Sequence, residues 1–284
     1  MLYGCIRHHL GKCFVVNWRK LKPSIMKIVF LTDLTDKSLE NIKSVLPIVI
    51  NDSEKTEVVL LHVIDANPND EFSINQRSEK AIKQLFTEKR KIAEVVDINI
   101  TPIVRSGNYI SELDAALERL APDLVVFVSE SKRDLGQNDN AFFKLIGEIV
   151  SPVLIMSSED ILDGIQGIGL AIDKKENPKS EALKKVKRIS SYLNSNVKAF
   201  HIVTNEEEEG DFYENVGKEM GVGQIEMVQE QEVTNGIRSW CKNNSIDIPV
   251  VLTSRKGFFQ RIKSCSVTHS LVKENPGALL IITQ

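Results

Sequence analysis

The chain lacks the residues that would make a disulfide framework, a membrane span or a familiar catalytic signature. Its 284 residues hold four cysteines, Cys5, Cys13, Cys241 and Cys265, too few and too scattered to cross-link a fold. No apolar run approaches the roughly 18 residues of a membrane span. Neither sign of charge dominates: 36 Lys and Arg stand against 39 Asp and Glu, for a net charge of −3 and a pI near 6.0. That balance leaves no electrostatic footprint for nucleic acid. There is no nucleophile elbow, Walker lysine motif, HExxH or paired CxxC, so no catalytic residue and no enzyme activity is expected, slow ATP hydrolysis aside. A reducing, cytoplasmic setting is the simplest account of the cysteine usage, with neither a nucleic-acid partner nor a membrane.

What is present reads as an ordinary globular protein, 42% hydrophobic and 26% charged, of a length that suggests two domains. Residues 1–25 stand apart. They carry Arg7, Lys12, Arg19, Lys20 and Lys22 without an acidic residue, and His8, His9 and Lys12 interrupt any signal-peptide core. We read them as an extension outside the folded protein, either a loose tail or untranslated sequence upstream of Met26. Cys5, His8, His9 and Cys13 could ligate zinc, but their spacing matches no finger, and no metal site is expected.

After Met26, short runs rich in Val, Ile and Leu alternate with helical periodicity. Strands are expected over 27–32, 57–64, 98–104, 124–129 and 153–156, and helices over 37–48, 73–95 and 110–120. Pro47 should kink or end the first helix. The same order recurs, with strands over 167–172, 197–203, 224–228, 248–253 and 278–283 and helices over 179–193, 212–220, 234–243 and 267–274. Alternation of this kind implies a parallel sheet with helices on both faces. Landmarks match between the halves: Asp33 and Asp173 end the first strands, and His62-Val63 and His201-Ile202-Val203 lie in the second. Pro122-Asp123-Leu124-Val125-Val126 answers to Asp247-Ile248-Pro249-Val250-Val251, and Ser151-Pro152-Val153-Leu154-Ile155 to Gly277-Ala278-Leu279-Leu280-Ile281. Matched landmarks in one fixed order mark a duplication. The domains are expected at 26–158 and 165–284, with the boundary in the polar stretch 158–166.

Residues 26–38, Met-Lys-Ile-Val-Phe-Leu-Thr-Asp-Leu-Thr-Asp-Lys-Ser, together with Glu57-Val58-Val59-Leu60-Leu61-His62-Val63-Ile64-Asp65, the stretches 123–129 and 151–155, and their counterparts in the second half, resemble the universal stress protein family. The resemblance covers nearly everything after Met26. It implies two tandem doubly wound α/β domains (Rossmann-like, with flavodoxin-like winding), each a five-stranded parallel sheet, forming an intramolecular pseudo-dimer through apolar fifth strands. It also implies that Asp33 and Val63, and Asp173 and Val203 in the second copy, sit where the family contacts ribose and adenine. An Asp after the first strand can instead cap the next helix, and His62 and His201 read as satisfied core histidines.

In ATP-binding members the phosphates are cradled by a Gly-x2-Gly-x9-Gly-Ser/Thr run, because backbone N–H groups must approach the anion without a side chain in the way. Here the aligned residues are Val128, Ser131, Asp139 and Asn140 in the first copy and Leu252, Arg255, Cys265 and Ser266 in the second. Only the hydroxyl of Ser266 survives, so the nucleotide site is degenerate and no cofactor is expected. One feature favours an anion: Arg255, Lys256, Arg261 and Lys263 cluster in the second loop, where charge could replace lost backbone contacts. Cys265 beside them could have a lowered thiol pKa or be a small buried apolar residue. Two functions result: a cytoplasmic, non-catalytic stress-response protein working through other proteins with weak or absent ATP binding, or a nucleotide- or anion-binding sensor using Arg255, Lys256 and Ser266. A further homodimer beyond the internal pair is left open.

Overall fold

The β-branched and leucine-rich runs pair as strands, and the amphipathic segments between them form the covering helices. The structure, a computed structural model, describes residues 25–65, 71–94, 96–129, 146, 149–157, 164–173, 178–204, 213, 216–218, 225–253, 267–274 and 277–284. Cys5, His8, His9 and Cys13, weighed above as zinc ligands, and most of the expected boundary lie outside the described residues.

The first half runs β1 (Met26–Leu31), α1 (Asp36–Val49), β2 (Thr56–Asp65), α2 (Glu71–Ala93), β3 (Asn99–Gly107), α3 (Tyr109–Leu120), β4 (Leu124–Ser129) and β5 (Val153–Ser157). The second runs β6 (Gly167–Ala171), α4 (Ser180–Tyr192), β7 (Asn196–Val203), β8 (Glu226–Gln229), α5 (Val233–Asn243), β9 (Ile248–Thr253), α6 (Val267–Glu274) and β10 (Leu279–Thr283). Of the helix expected over 212–220, residues 213 and 216–218 are described, and they are helical. α1 accommodates Pro47 only in its last turn and ends at Val49. β3 runs to Gly107, beyond its expected end, because β2 is long enough to pair His62–Asp65 with Val104–Gly107.

All ten strands form one sheet in the order β3-β2-β1-β4-β5-β10-β9-β6-β7-β8. Each half is parallel and doubly wound, and reverses direction between its first and fourth strands. The order within each half is 3-2-1-4-5, whereas a flavodoxin-like sheet is ordered 2-1-3-4-5. The third strands therefore lie at the outer edges, which suits their sparser burial. The fifth strands meet in the middle. β5 and β10 pair antiparallel, Ile155 with Leu279, Leu154 with Leu280 and Val153 with Ile281. The apolar edges expected to invite pairing thus satisfy each other.

One core lies on each face, and each draws on both halves. Leu46, Leu85 and Leu183, from α1, α2 and α4, pack on one face with Phe30, Leu154 and Leu280 of the sheet. Leu113, Ile237 and Leu271, from α3, α5 and α6, pack on the other with Val29, Ile155 and Ile281. α4 adds a further tie. Along one side it reaches the amino ends of the first half's strands in turn. Lys185 Nζ donates to the Val150 carbonyl at 3.1 Å, Arg188 Nε meets Asp123 Oδ1 at 2.8 Å, and the Tyr192 hydroxyl lies 2.6 Å from Thr56 Oγ1. Residues 185, 188 and 192 share one face by helical spacing, so a helix of the second half closes the base of the first.

α1 and α2 are joined through a carboxylate that is almost wholly buried. Glu88, 5% exposed, takes Lys43 Nζ on Oε2 at 2.6 Å and Lys91 Nζ on Oε1 at 2.7 Å. Burial opposes its ionisation, and hydrogen bonds and charge from Lys43 and Lys91 outweigh that, holding the carboxyl below its ordinary range. Its contribution is complete above the unfolded value of about 4.3 and is lost as pH falls through the lower folded value. Glu88→Gln is therefore expected to cost about 1–2 kcal/mol near neutrality and to weaken the acid dependence of unfolding below about pH 4. Chemical denaturation of both proteins from pH 3 to 7 measures this; parallel curves would show that Glu88 contributes nothing to the acid limb.

Candidate functional site

In open α/β sheets the carboxyl ends of the strands, where the winding reverses, collect the loops that hold ligands. In the first half this rim begins at Thr32, which continues β1 by donating its N–H to the Leu61 carbonyl at 3.1 Å. Leu34 takes a left-handed backbone, φ 66°, unusual for a leucine, and two bonds hold it there. Its N–H donates to Thr32 Oγ1 at 3.0 Å, and its carbonyl accepts from Gln84 Nε2 at 2.6 Å. Thr35 then caps α1, its hydroxyl accepting the Ser38 N–H at 3.1 Å.

Asp33 does not cap the helix, since that role belongs to Thr35. Its Oδ1 accepts the Thr35 N–H at 2.9 Å and the Thr35 hydroxyl at 2.8 Å, an Asx turn that fixes the capping rotamer. The carboxylate itself is exposed, and it lies within electrostatic reach of Tyr109. Burial, and then the Asp33 charge, hold the Tyr109 phenol above its ordinary pKa. Tyr109 opens α3 next to the cap residue Asn108, whose side chain accepts the Ser111 N–H at 3.2 Å. Arg105 lies on the same rim, with Nε and Nη2 each 3.0 Å from Glu112 Oε2. Gly107, φ 151°, allows this approach: a Cβ there would stand 2.8 Å from Glu112 Cγ.

Val63 is 7% exposed and belongs to the core under this rim, so it offers an apolar wall. The second half repeats the pattern with less chemistry. Val203 is 5% exposed, and Asp173 is exposed at the end of the first strand. Lys179 holds the N-cap position of α4, and its side chain makes no capping hydrogen bond. Val233 occupies the start of α5, where the first half has Tyr109.

The two histidines are alike. His62 Nδ1 lies 2.8 Å from the Thr32 carbonyl and His201 Nδ1 2.7 Å from the Ile172 carbonyl. A carbonyl only accepts, so Nδ1 carries the proton in both, and each ring ties the end of the first strand to the second. His201 is buried, as the core reading expects, whereas His62 is half-buried. Among the described residues no cluster of His, Cys, Asp or Glu could hold a metal, and no helix is long and apolar enough to cross a membrane. The Cys241 thiol is buried and pushed up to about 12 by that burial, which removes it from thiolate chemistry.

Two of the aligned glycine positions are visible. Val128 lies in β4 beside Met156 and packs partly buried on the core. Leu252 lies in β9 beside Ile282 at 9% exposure. Both carry a branched aliphatic side chain near the end of the fourth strand of their half. Ser131, Asp139, Asn140, Arg255, Lys256, Arg261, Lys263, Cys265 and Ser266 lie outside the described residues. Sequence reasoning missed Tyr109, Arg105 and Gln84. The only signal for Tyr109 was its place after the Asn-initiated start of α3.

No protein-family model matches the chain, and no curated protein matches it in sequence. Solved structures do match in fold. A universal stress protein from Archaeoglobus fulgidus superposes with a TM-score of 0.68 at 14% identity, covering 92% of this chain and 97% of that one. A Pseudomonas aeruginosa protein bearing the same family name gives 0.53 at 11% identity over 92% and 94% of the two chains. A third, a P. aeruginosa protein described as functionally unknown, gives 0.56 at 12% over 92% and 93%. With its repeated 3-2-1-4-5 winding and its central antiparallel joint, the chain has the fold of the universal stress proteins.

Proposed function

We propose that the chain is a tandem universal stress protein, with units at 26–158 and 165–284, that acts without catalysis in the cytoplasm through contacts with other proteins and has little affinity for ATP. The observation that carries this reading is the pair Val128 and Leu252. Phosphate recognition by backbone N–H groups needs an unobstructed chain at the end of the fourth strand, and in both halves an aliphatic side chain packs there instead. Asp33, Val63, Asp173 and Val203 supply remnants of a nucleoside pocket, and Tyr109 lies within electrostatic reach of Asp33.

Thermal melting with Mg-ATP tests the proposal. A ligand that binds only the native state stabilises it by RT ln(1 + [L]/Kd), about 4 kcal/mol at a thousandfold excess over Kd. The expected result at millimolar Mg-ATP is an unchanged midpoint. A saturable rise would overturn the reading. If Arg255→Ala abolished that rise, the basic loop of Arg255 and Lys256, with Ser266, would be an anion sensor in its place.

A further inference from the structure

A crevice of about 440 Å³ opens between the C-terminal half of α3, the segment 149–152 and the side of α4. It lies at the amino ends of β4 and β5, away from the rim carrying Asp33, and it exists only because α4 of the second half crosses the base of the first. Its volume falls within the range of small-molecule pockets. The floor is apolar, from buried Leu117, Ile149 and Pro152. Val150 joins them at 50% exposure, among the few large apolar side chains that the described residues leave in water.

The charges within it set the class of ligand. On the α4 side Arg188 is engaged by Asp123, and Lys185 bonds the Val150 carbonyl but keeps its charge, so the lining's three carboxylates, Asp114, Glu118 and Asp123, exceed its two cations by one. On the α3 side Asp114 and Glu118 stand one turn apart at the rim. Like charges at i and i+4 repel, and neither carboxylate is engaged by a cation among the described residues. A cation between them would relieve that repulsion, and its apolar body would cover Leu117 and Val150, removing their surface from water. We infer that this inter-half crevice binds a small organic cation, an ammonium or guanidinium group carried on a short aliphatic body.

The test uses the full chain and three probes: hexylammonium, hexanoate and ammonium chloride. Titration calorimetry is expected to show saturable binding of hexylammonium, with no comparable signal from hexanoate or from ammonium alone. The double variant Asp114→Asn, Glu118→Gln changes exposed residues and should melt as the parent does. It should bind hexylammonium at least about tenfold more weakly. Asp33→Asn, on the opposite rim, should bind it as the parent does. No saturable binding up to about 10 mM, an equal response to hexanoate, or unaltered affinity in the double variant would each overturn the assignment. None of these results bears on ATP, so the crevice and the proposed function stand or fall separately.

Discussion

Leu280→Ala is expected to destabilise the whole chain by about 3–4 kcal/mol while leaving a single unfolding transition. Leu280 is 1% exposed and sits in the joint, paired with Leu154 across the antiparallel ladder and with Val250 in its own half. Removing its isobutyl group leaves a cavity that a strand fixed on both sides cannot collapse to fill. The core it enters contains residues of both halves, so the loss falls on the molecule rather than on one unit. Urea unfolding followed by tryptophan fluorescence and by far-ultraviolet dichroism checks this: the two probes should coincide, with the midpoint lowered and the slope retained. Leu154→Ala should act alike, and the double variant should fall short of additivity because the two side chains share one site. Separate transitions for the two halves, with only the later one moved, would show that the joint does not couple them.

Asp247→Ala is expected to cost about 3 kcal/mol. Asp247 Oδ2 accepts the Gln166 and Gly167 N–H groups at 2.7 and 2.9 Å, and its own N–H donates to the Gly167 carbonyl at 3.0 Å. One carboxylate thereby fixes where β6 begins relative to β9. Its counterpart does the same in the first half: Asp123 Oδ2 accepts the Lys27 N–H, and the Asp123 N–H donates to the Lys27 carbonyl, both at 2.9 Å. Charge-assisted bonds to backbone amides are the stronger kind, and truncation leaves the buried Gly167 amide without an acceptor. Denaturant melts of Asp247→Ala and Asp247→Asn separate the contributions, since asparagine keeps an acceptor oxygen and should recover part of the loss. A cost below about 0.5 kcal/mol for the alanine variant would mean that water replaces the carboxylate without penalty.

Much of the fold was legible because buried parallel strands write themselves as continuous apolar runs. The fourth strands and α6 fall on their expected residues. The repeated order of elements was legible as well, and the repeat extends to bonds: His62 and His201 hold equivalent carbonyls, and Asp123 and Asp247 hold equivalent strand starts. The edge position of the third strands was not legible, since strand order is a property of crossovers and not of any strand's own composition. Glu88 looked like one more charge on a polar helix. It is buried and pairs with Lys43, on another element, and no local pattern announces such a partner. Asp33 was read as either a cap or a ligand, and it turned out to brace the residue that caps. Choosing between those roles takes the position of a single hydroxyl. The crossing of α4 beneath the first half depends on how the two halves meet, which periodicity within either one cannot express.

The meeting of β5 and β10 in opposite senses has a geometric consequence. Strands of the first half point their carboxyl ends toward one pole of the molecule, and those of the second half toward the other. The loop set that includes Asp33 and the one that includes Asp173 therefore look away from each other, separated by at least the length of a strand, some 17 Å. A visitor docked at one pole has no view of the other. Between the two poles lies the β5–β10 ladder, with Leu154 beside Leu280 at its centre.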